Sequence, residues 1–137
     1  LKSYTILQDP LLHANFNLTL VYDTHIYVGD YTMFGPNVTV ATGGHPILPE
    51  LREKAYQYNA PIHISRNCWI GVGVIIVPGV TIGDNTVIGA GSIVTKHIPG
   101  NVLAVGNPCK VLREINDHDK LYYFKDRKII NEDLTEP

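Results

Sequence analysis

Through the second half of this 137-residue chain an isoleucine or valine returns every six residues: Ile64, Ile70, Ile76, Ile82, Ile88 and Val94. Extended backwards across a gap, the same phase meets Val40, Phe34, Val28, Tyr22 and Phe16, so every position in the series is apolar or aromatic. This period suits neither a helix, at about 3.6 residues per turn, nor an alternating strand, at about 2. It is the period of hexapeptide β-helix repeats. Each unit holds one short strand and one bend, and the repeat side chain stacks inward on its counterpart in the next coil. Glycine often follows the repeat residue, as at Gly29, Gly35, Gly71, Gly83 and Gly89, where it relaxes the backbone at the corner. The position four residues after the repeat residue must also fit inside, and Cys68, Val74, Val80, Thr86 and Ser92 are all small. The expected fold is an all-β solenoid whose coils pair as parallel strands about 4.8 Å apart.

Residues 1–14 carry no clean repeat and contain Pro10, so an irregular N-terminal segment is expected there. The β-helix is expected over 15–109, with a protruding loop at 41–61 where glycine, proline and charged residues break the repeat. Val111, Leu112 and Ile115, followed by Leu121 and Tyr122, recur at helical spacing opposite Arg113, Glu114, Asp117 and Lys120. This pattern predicts a short amphipathic C-terminal helix over 110–124 that caps the open end of the solenoid. The charged residues 125–137 read as a loose tail.

A net charge of −2 offers no bulk attraction to nucleic acid or to an anionic membrane. The sequence has no signal peptide and no apolar run of spanning length, so a cytoplasmic protein is expected. Cys68 and Cys109 fit a reducing compartment and read as buried packing residues, not nucleophiles. A zinc enzyme is a competing reading, because His45 and His63 lie 18 residues apart, about one coil. The break at 41–61 destroys that register, and no metal is expected.

The segments ANFNLTLVYD (14–23), GHP (44–46), NCWIGVGVIIVPGVTIGDNTVIGAGSIVTK (67–96) and GNPCKVLREI (106–115) carry a more specific signal. In this order they resemble the hexapeptide acyltransferases with a left-handed parallel β-helix, most of all the galactoside/maltose O-acetyltransferase branch. The left-handed coil is an implication of the resemblance, since ordinary parallel crossovers are right-handed. The resemblance also implies acetyl-CoA as cosubstrate, a sugar acceptor, and a homotrimer with active sites between neighbouring subunits. Residues 1–14 then stand where the family carries a longer, partly helical N-terminal region.

Under this resemblance His45 is the general base that deprotonates an acceptor hydroxyl for direct attack on the thioester, with no acyl-enzyme. Asn15 and Asp23 match positions that contact the acceptor, and an amide with a carboxylate suits a sugar's hydroxyls. His13 falls where the family often has a tyrosine near the acceptor. Strand alternation turns Trp69 outward, and the resemblance sets it beside the cofactor. Val72, Ala90, Thr95, Lys96, Lys110 and Arg113 match positions that hold CoA, the small residues along the pantetheine arm and the cations at the phosphates. Relatives often have serine at position 72 and arginine at 110. Valine loses a hydroxyl contact, and lysine cannot form the same bidentate fork. Two other readings stay open: a non-catalytic or decayed β-helix scaffold, and a serine or antibiotic acetyltransferase.

Overall fold

A computed structural model of the chain describes residues 13–130. Of the irregular segment expected over 1–14, residues 1–12 lie outside the described residues, as does the end of the tail, 131–137; His13–Ala14 is instead a strand paired parallel with Met33–Phe34, so the solenoid begins before residue 15. The repeats wind into a left-handed β-helix with three parallel-stranded faces. The first face stacks His13–Ala14, Met33–Phe34, Trp69–Ile70, Val87–Ile88 and Val102–Val105. The second stacks Thr19–Val21, Thr39–Ala41, Ile75–Ile76 and Ile93–Val94, and the third Ile26–Val28, Ile62–Ile64 and Thr81–Ile82. The chain turns from the first face to the second at the first edge, from the second to the third at the second edge, and from the third back to the first at the third edge.

Ile70, Ile76, Ile82, Ile88 and Val94 are fully buried in the prism. Each such burial contributes on the order of 1.5–3 kcal/mol. The small positions four residues on are inside as well, Cys68 through Ser92. Their hydroxyls are satisfied by backbone: Thr86 Oγ1 donates to Pro99 O at 2.7 Å and Ser92 Oγ to Gly89 O at 2.6 Å. The corners need left-handed backbone, which asparagine adopts more readily than most residues. Asn37, Asn67, Asn85 and Asn101 supply it, with φ between 54° and 62°. Side chains then link neighbouring coils, as Asn85 Nδ2 donates to Asn101 Oδ1 at 2.9 Å.

The repeat phase fails at its N-terminal end. Phe16 and Tyr22 are 81% and 56% exposed, and Leu18 and Leu20 pack against the core in their place. Leu20 pairs with Val40 on the second face, and Val28 with Ile64 on the third. The step from 20 to 28 is therefore longer than a hexad, and the additional residues bulge at the corner that carries Asp23. At the other end Ile98 bridges Ile82, so the last corner, from Val94, is shorter than a hexad.

The helix expected over 110–124 is absent. Lys110–Glu114 is instead a strand antiparallel to Val102–Val105. Asp117–Lys120 forms one 3-10 turn, and Tyr122–Phe124 pairs with Arg127–Lys128 in a hairpin, so the start of the expected tail is ordered as well. The apolar spacing at 111, 112 and 115 was ambiguous between the two structures. The end of the solenoid presents an unpaired strand edge, and an added strand satisfies its N–H and C=O groups where a helix would not. The α-helix of the described residues, Pro49–Glu53, lies in the 41–61 excursion.

Candidate active site

The excursion is a folded hairpin. Gly43–Gly44 pairs antiparallel with Tyr58–Asn59, and Pro49–Glu53 forms its tip. Arg52 Nη1 donates to Pro46 O at 3.0 Å and also to Ile47 O, holding the turn after His45. His45 Nδ1 lies 3.2 Å from Tyr56 O. A carbonyl only accepts, so Nδ1 carries the proton of the neutral ring and Nε2 presents its lone pair. The imidazole is exposed at the surface of the hairpin.

The two glycines before His45 lie in close approach to other side chains. A Cβ on Gly43 would fall on the Asp23 carboxylate, and one on Gly44 would fall on the Tyr58 ring. The bulged corner thus sets Asp23 directly against the strand that leads into His45. Further along the same edge, Gly79 faces Ala60 at the base of the hairpin. Next comes an open cleft of about 500 Å³ lined by Pro78, Gly79, Val80, Thr95, Lys96 and His97. His97 has the opposite tautomer to His45, because its Nδ1 accepts from the Thr81 N–H at 2.9 Å. Asp23, His45, Thr95 and Lys96 therefore share the second edge.

The other expected residues lie elsewhere on the prism. Trp69 faces outward, 57% exposed, with Met33 and Val87 as its neighbours across the first face. His13 is the next residue in that row, opposite Met33. Val72 and Ala90 stack at the first edge, where the Gly91 N–H donates to Val72 O at 2.8 Å. Asn15 belongs to the same edge. Its N–H donates to Phe34 O at 3.1 Å, and its Oδ1 accepts from Phe16 N at 2.8 Å. Lys110 and Arg113 lie on the strand added to the first face, opposite Val105 and Leu103. One copy of the chain does not unite these groups. The second edge carries the histidine and the carboxylate, and the first edge and first face carry the tryptophan and the small residues.

Arg113 is already engaged. Its Nη1 and Nη2 donate to Asp119 Oδ2 and Oδ1 at 2.9 and 2.8 Å. These hydrogen bonds, with a further one from the Asn116 N–H, hold the Asp119 carboxyl well below the usual carboxylate range and raise Arg113 above its own. Burial pushes both cysteine thiols up, which fits packing and not nucleophilic attack. Among the described residues no cluster of three potential ligands could hold a metal, and no helix is long and apolar enough to cross a membrane.

Sequence reasoning missed Tyr56, Arg52 and Asp119. The first acts through its backbone carbonyl, which no side-chain pattern reveals. The second lies in the break of the repeat, where only folding of the hairpin brings it back to Pro46. Asp119 carried a signal, since Asn116 with an acidic residue three positions later is a capping-box pattern.

The family described as bacterial transferase hexapeptide (six repeats) matches residues 61–96. The chain is 60% identical over 117 residues to galactoside O-acetyltransferase of Escherichia coli strain K12, covering 85% of this chain and 58% of that protein. It is 58% identical over 118 residues to galactoside O-acetyltransferase of Lactococcus lactis subsp. lactis strain IL1403, covering 86% and 57%. The chain thus spans less than two thirds of the length of these relatives. Among solved structures, a galactoside acetyltransferase in complex with coenzyme A matches with a TM-score of 0.83 at 55% identity, over 89% of this chain and 64% of that one. A maltose O-acetyltransferase from Clostridium difficile 630 matches with a TM-score of 0.67 at 48% identity, over 79% and 61%.

Proposed function

This chain belongs to the hexapeptide-repeat acyltransferases, in their galactoside/maltose O-acetyltransferase branch, and from that premise we propose that it transfers an acetyl group from acetyl-CoA to a hydroxyl of a galactoside, maltose or glucose-like sugar. The observation that carries this reading is the 3.2 Å contact between His45 Nδ1 and the Tyr56 carbonyl. The Tyr56 carbonyl holds the proton on Nδ1, so Nε2 is free to act as a base. His45 takes the proton of the acceptor hydroxyl as that oxygen bonds to the thioester carbonyl carbon. The imidazolium then returns the proton to the departing sulfur as the C–S bond breaks.

Asp23 and Asn15, with His13 close by, receive the sugar. Trp69, Val72, Ala90 and Thr95 line the path of the pantetheine arm, and Lys96, Lys110 and Arg113 meet the phosphates. These residues occupy different edges of one prism, and a second copy supplies the missing half of each site. We therefore read the working form as a homotrimer in which the second edge of one subunit faces the first edge of the next. The reading takes the cytoplasm as its compartment, in keeping with two free buried thiols.

Two measurements test this. Thiol release from acetyl-CoA is followed against a panel of sugars, and release that depends on a galactoside, maltose or glucose is expected. Then His45→Ala, altered on the second edge, is co-refolded with Ala90→Arg, altered on the first. Each variant alone should be inactive and the mixture active, because some interfaces pair two intact halves. A mixture as inactive as its parents would refute the intersubunit site.

A further inference from the structure

We propose that Asp119 is a positioning residue for the coenzyme: it locks the Arg113 guanidinium so that the flank left open faces a phosphate. The inference rests on the reading of Arg113 as a phosphate ligand. Arg113 lies on the strand Lys110–Glu114, with its side chain 41% exposed. An exposed arginine gives up rotamer entropy when it is fixed. Here most of that loss has been met before any ligand arrives.

The guanidinium has five N–H donors in a rigid plane. Nη1 donates to Asp119 Oδ2 and to Glu114 O, each at 2.9 Å, and Nη2 gives one hydrogen to Asp119 Oδ1 at 2.8 Å. The second Nη2 hydrogen and the Nε hydrogen remain. They lie side by side on the other flank, at the spacing that bidentate phosphate recognition needs. A lone carboxylate on a mobile turn could not fix this geometry, but Asp119 is itself held. Its Oδ2 accepts from the Asn116 N–H at 2.9 Å, and Asn116 Oδ1 accepts from the His118 N–H at 2.9 Å. The 3-10 turn Asp117–Lys120 is therefore a bracket for one side chain.

The row of partners across the first face leads to this bracket. Trp69 is opposite Val87, Val87 opposite Leu103, and Leu103 opposite Arg113. Three strand spacings of about 4.8 Å separate the indole from the guanidinium, roughly 14 Å along the outer surface. An extended pantetheine arm bridges such a distance, with its thioester near the tryptophan and its phosphates near the arginine. Asp119 also brings a negative charge close to the phosphates. That charge sits on the far flank and is partly exposed, so that screening weakens it, and the gain in orientation outweighs the repulsion.

The test is a double-mutant cycle read by calorimetric binding of CoA and of pantetheine, which has no phosphate. Asp119→Asn keeps an acceptor for the Asn116 N–H and loses the charged fork. It should weaken CoA by about three- to fivefold, the scale of an exposed ion pair, and leave pantetheine unchanged. Arg113→Ala should weaken CoA more, and adding Asp119→Asn to it should cost nothing further. Tighter CoA binding by Asp119→Asn would overturn the proposal, since Asp119 would then be a competitor for the arginine. An equal loss in the Arg113→Ala background, or an equal loss for pantetheine, would also overturn it and leave Asp119 a purely structural residue. If Arg113→Ala binds CoA like the parent, the phosphate reading of Arg113 itself fails, and this inference with it.

Discussion

Gly43→Ala isolates the contact between the bulged corner at Asp23 and the hairpin that carries His45. Gly43 has no positive φ, so alanine meets no backbone strain there. The new methyl overlaps the Asp23 carboxylate, with Asp23 Cγ and Asn59 Oδ1 each 3.3 Å away. The overlapped atom is the end of a side chain, so the chain still folds and Asp23 gives way. To restore an ordinary contact of about 3.5 Å the carboxylate must retreat by roughly 1 Å. A displacement of about that size in a group that positions a substrate can cost about 10²-fold in rate. The expected result is a loss of that order in kcat/KM for the sugar, measured by thiol release at saturating acetyl-CoA. Affinity for CoA and the melting temperature should stay at their parental values. Parental kcat/KM for every sugar accepted would refute the reasoning, because Asp23 would then have no part in holding the acceptor.

Three further outcomes are expected. Gly71→Ala puts a methyl 2.8 Å from both Ala90 N and Ile88 O, atoms of the neighbouring coil's backbone that cannot swing aside; it should destabilise the fold by about 1–3 kcal/mol, seen in chemical denaturation. Asp119 titrates low because its ionised form is favoured in the folded chain, first by the Arg113 hydrogen bond and then by the Asn116 N–H. Its stabilisation is therefore present above the ordinary aspartate value near 3.9 and lost as pH falls through the lower folded value, so NMR should find it titrating below the ordinary aspartate range, and Arg113→Ala should move it back up. Cys68 and Cys109 are buried with thiols raised by desolvation; both should resist alkylation at neutral pH in the folded protein and react at once in denaturant, and fast native labelling at either position would contradict their assignment to packing.

The hexad pattern made the fold legible because a β-helix repeats one local contact, so inward positions follow from spacing alone. It failed where the spacing changes. The bulge between Leu20 and Val28 moved Phe16 and Tyr22 outward, and nothing in the apolar series marks such an insertion. It failed again at Val111–Ile115, where a few apolar residues suit a helix or a strand and a vacant sheet edge decides between them. The outward turn of Trp69 and the buried small positions followed from alternation and are as expected. His45 was found by its motif, but the carbonyl that fixes its tautomer was not, because backbone partners are created by the hairpin. The resemblance implied a site shared between neighbouring subunits, and the structure adds which edge carries which residue: His45 and Asp23 on the second, Val72, Ala90 and Asn15 on the first.

The most direct measurement is sugar-dependent thiol release from acetyl-CoA by His45→Ala beside the parent protein, with CoA affinity measured on the same samples. Loss of turnover by at least about 10²-fold, with CoA binding intact, is the result expected of a general base. Turnover at the parental rate would contradict the account, because the imidazole that the hairpin holds through Nδ1 would then play no part in the transfer.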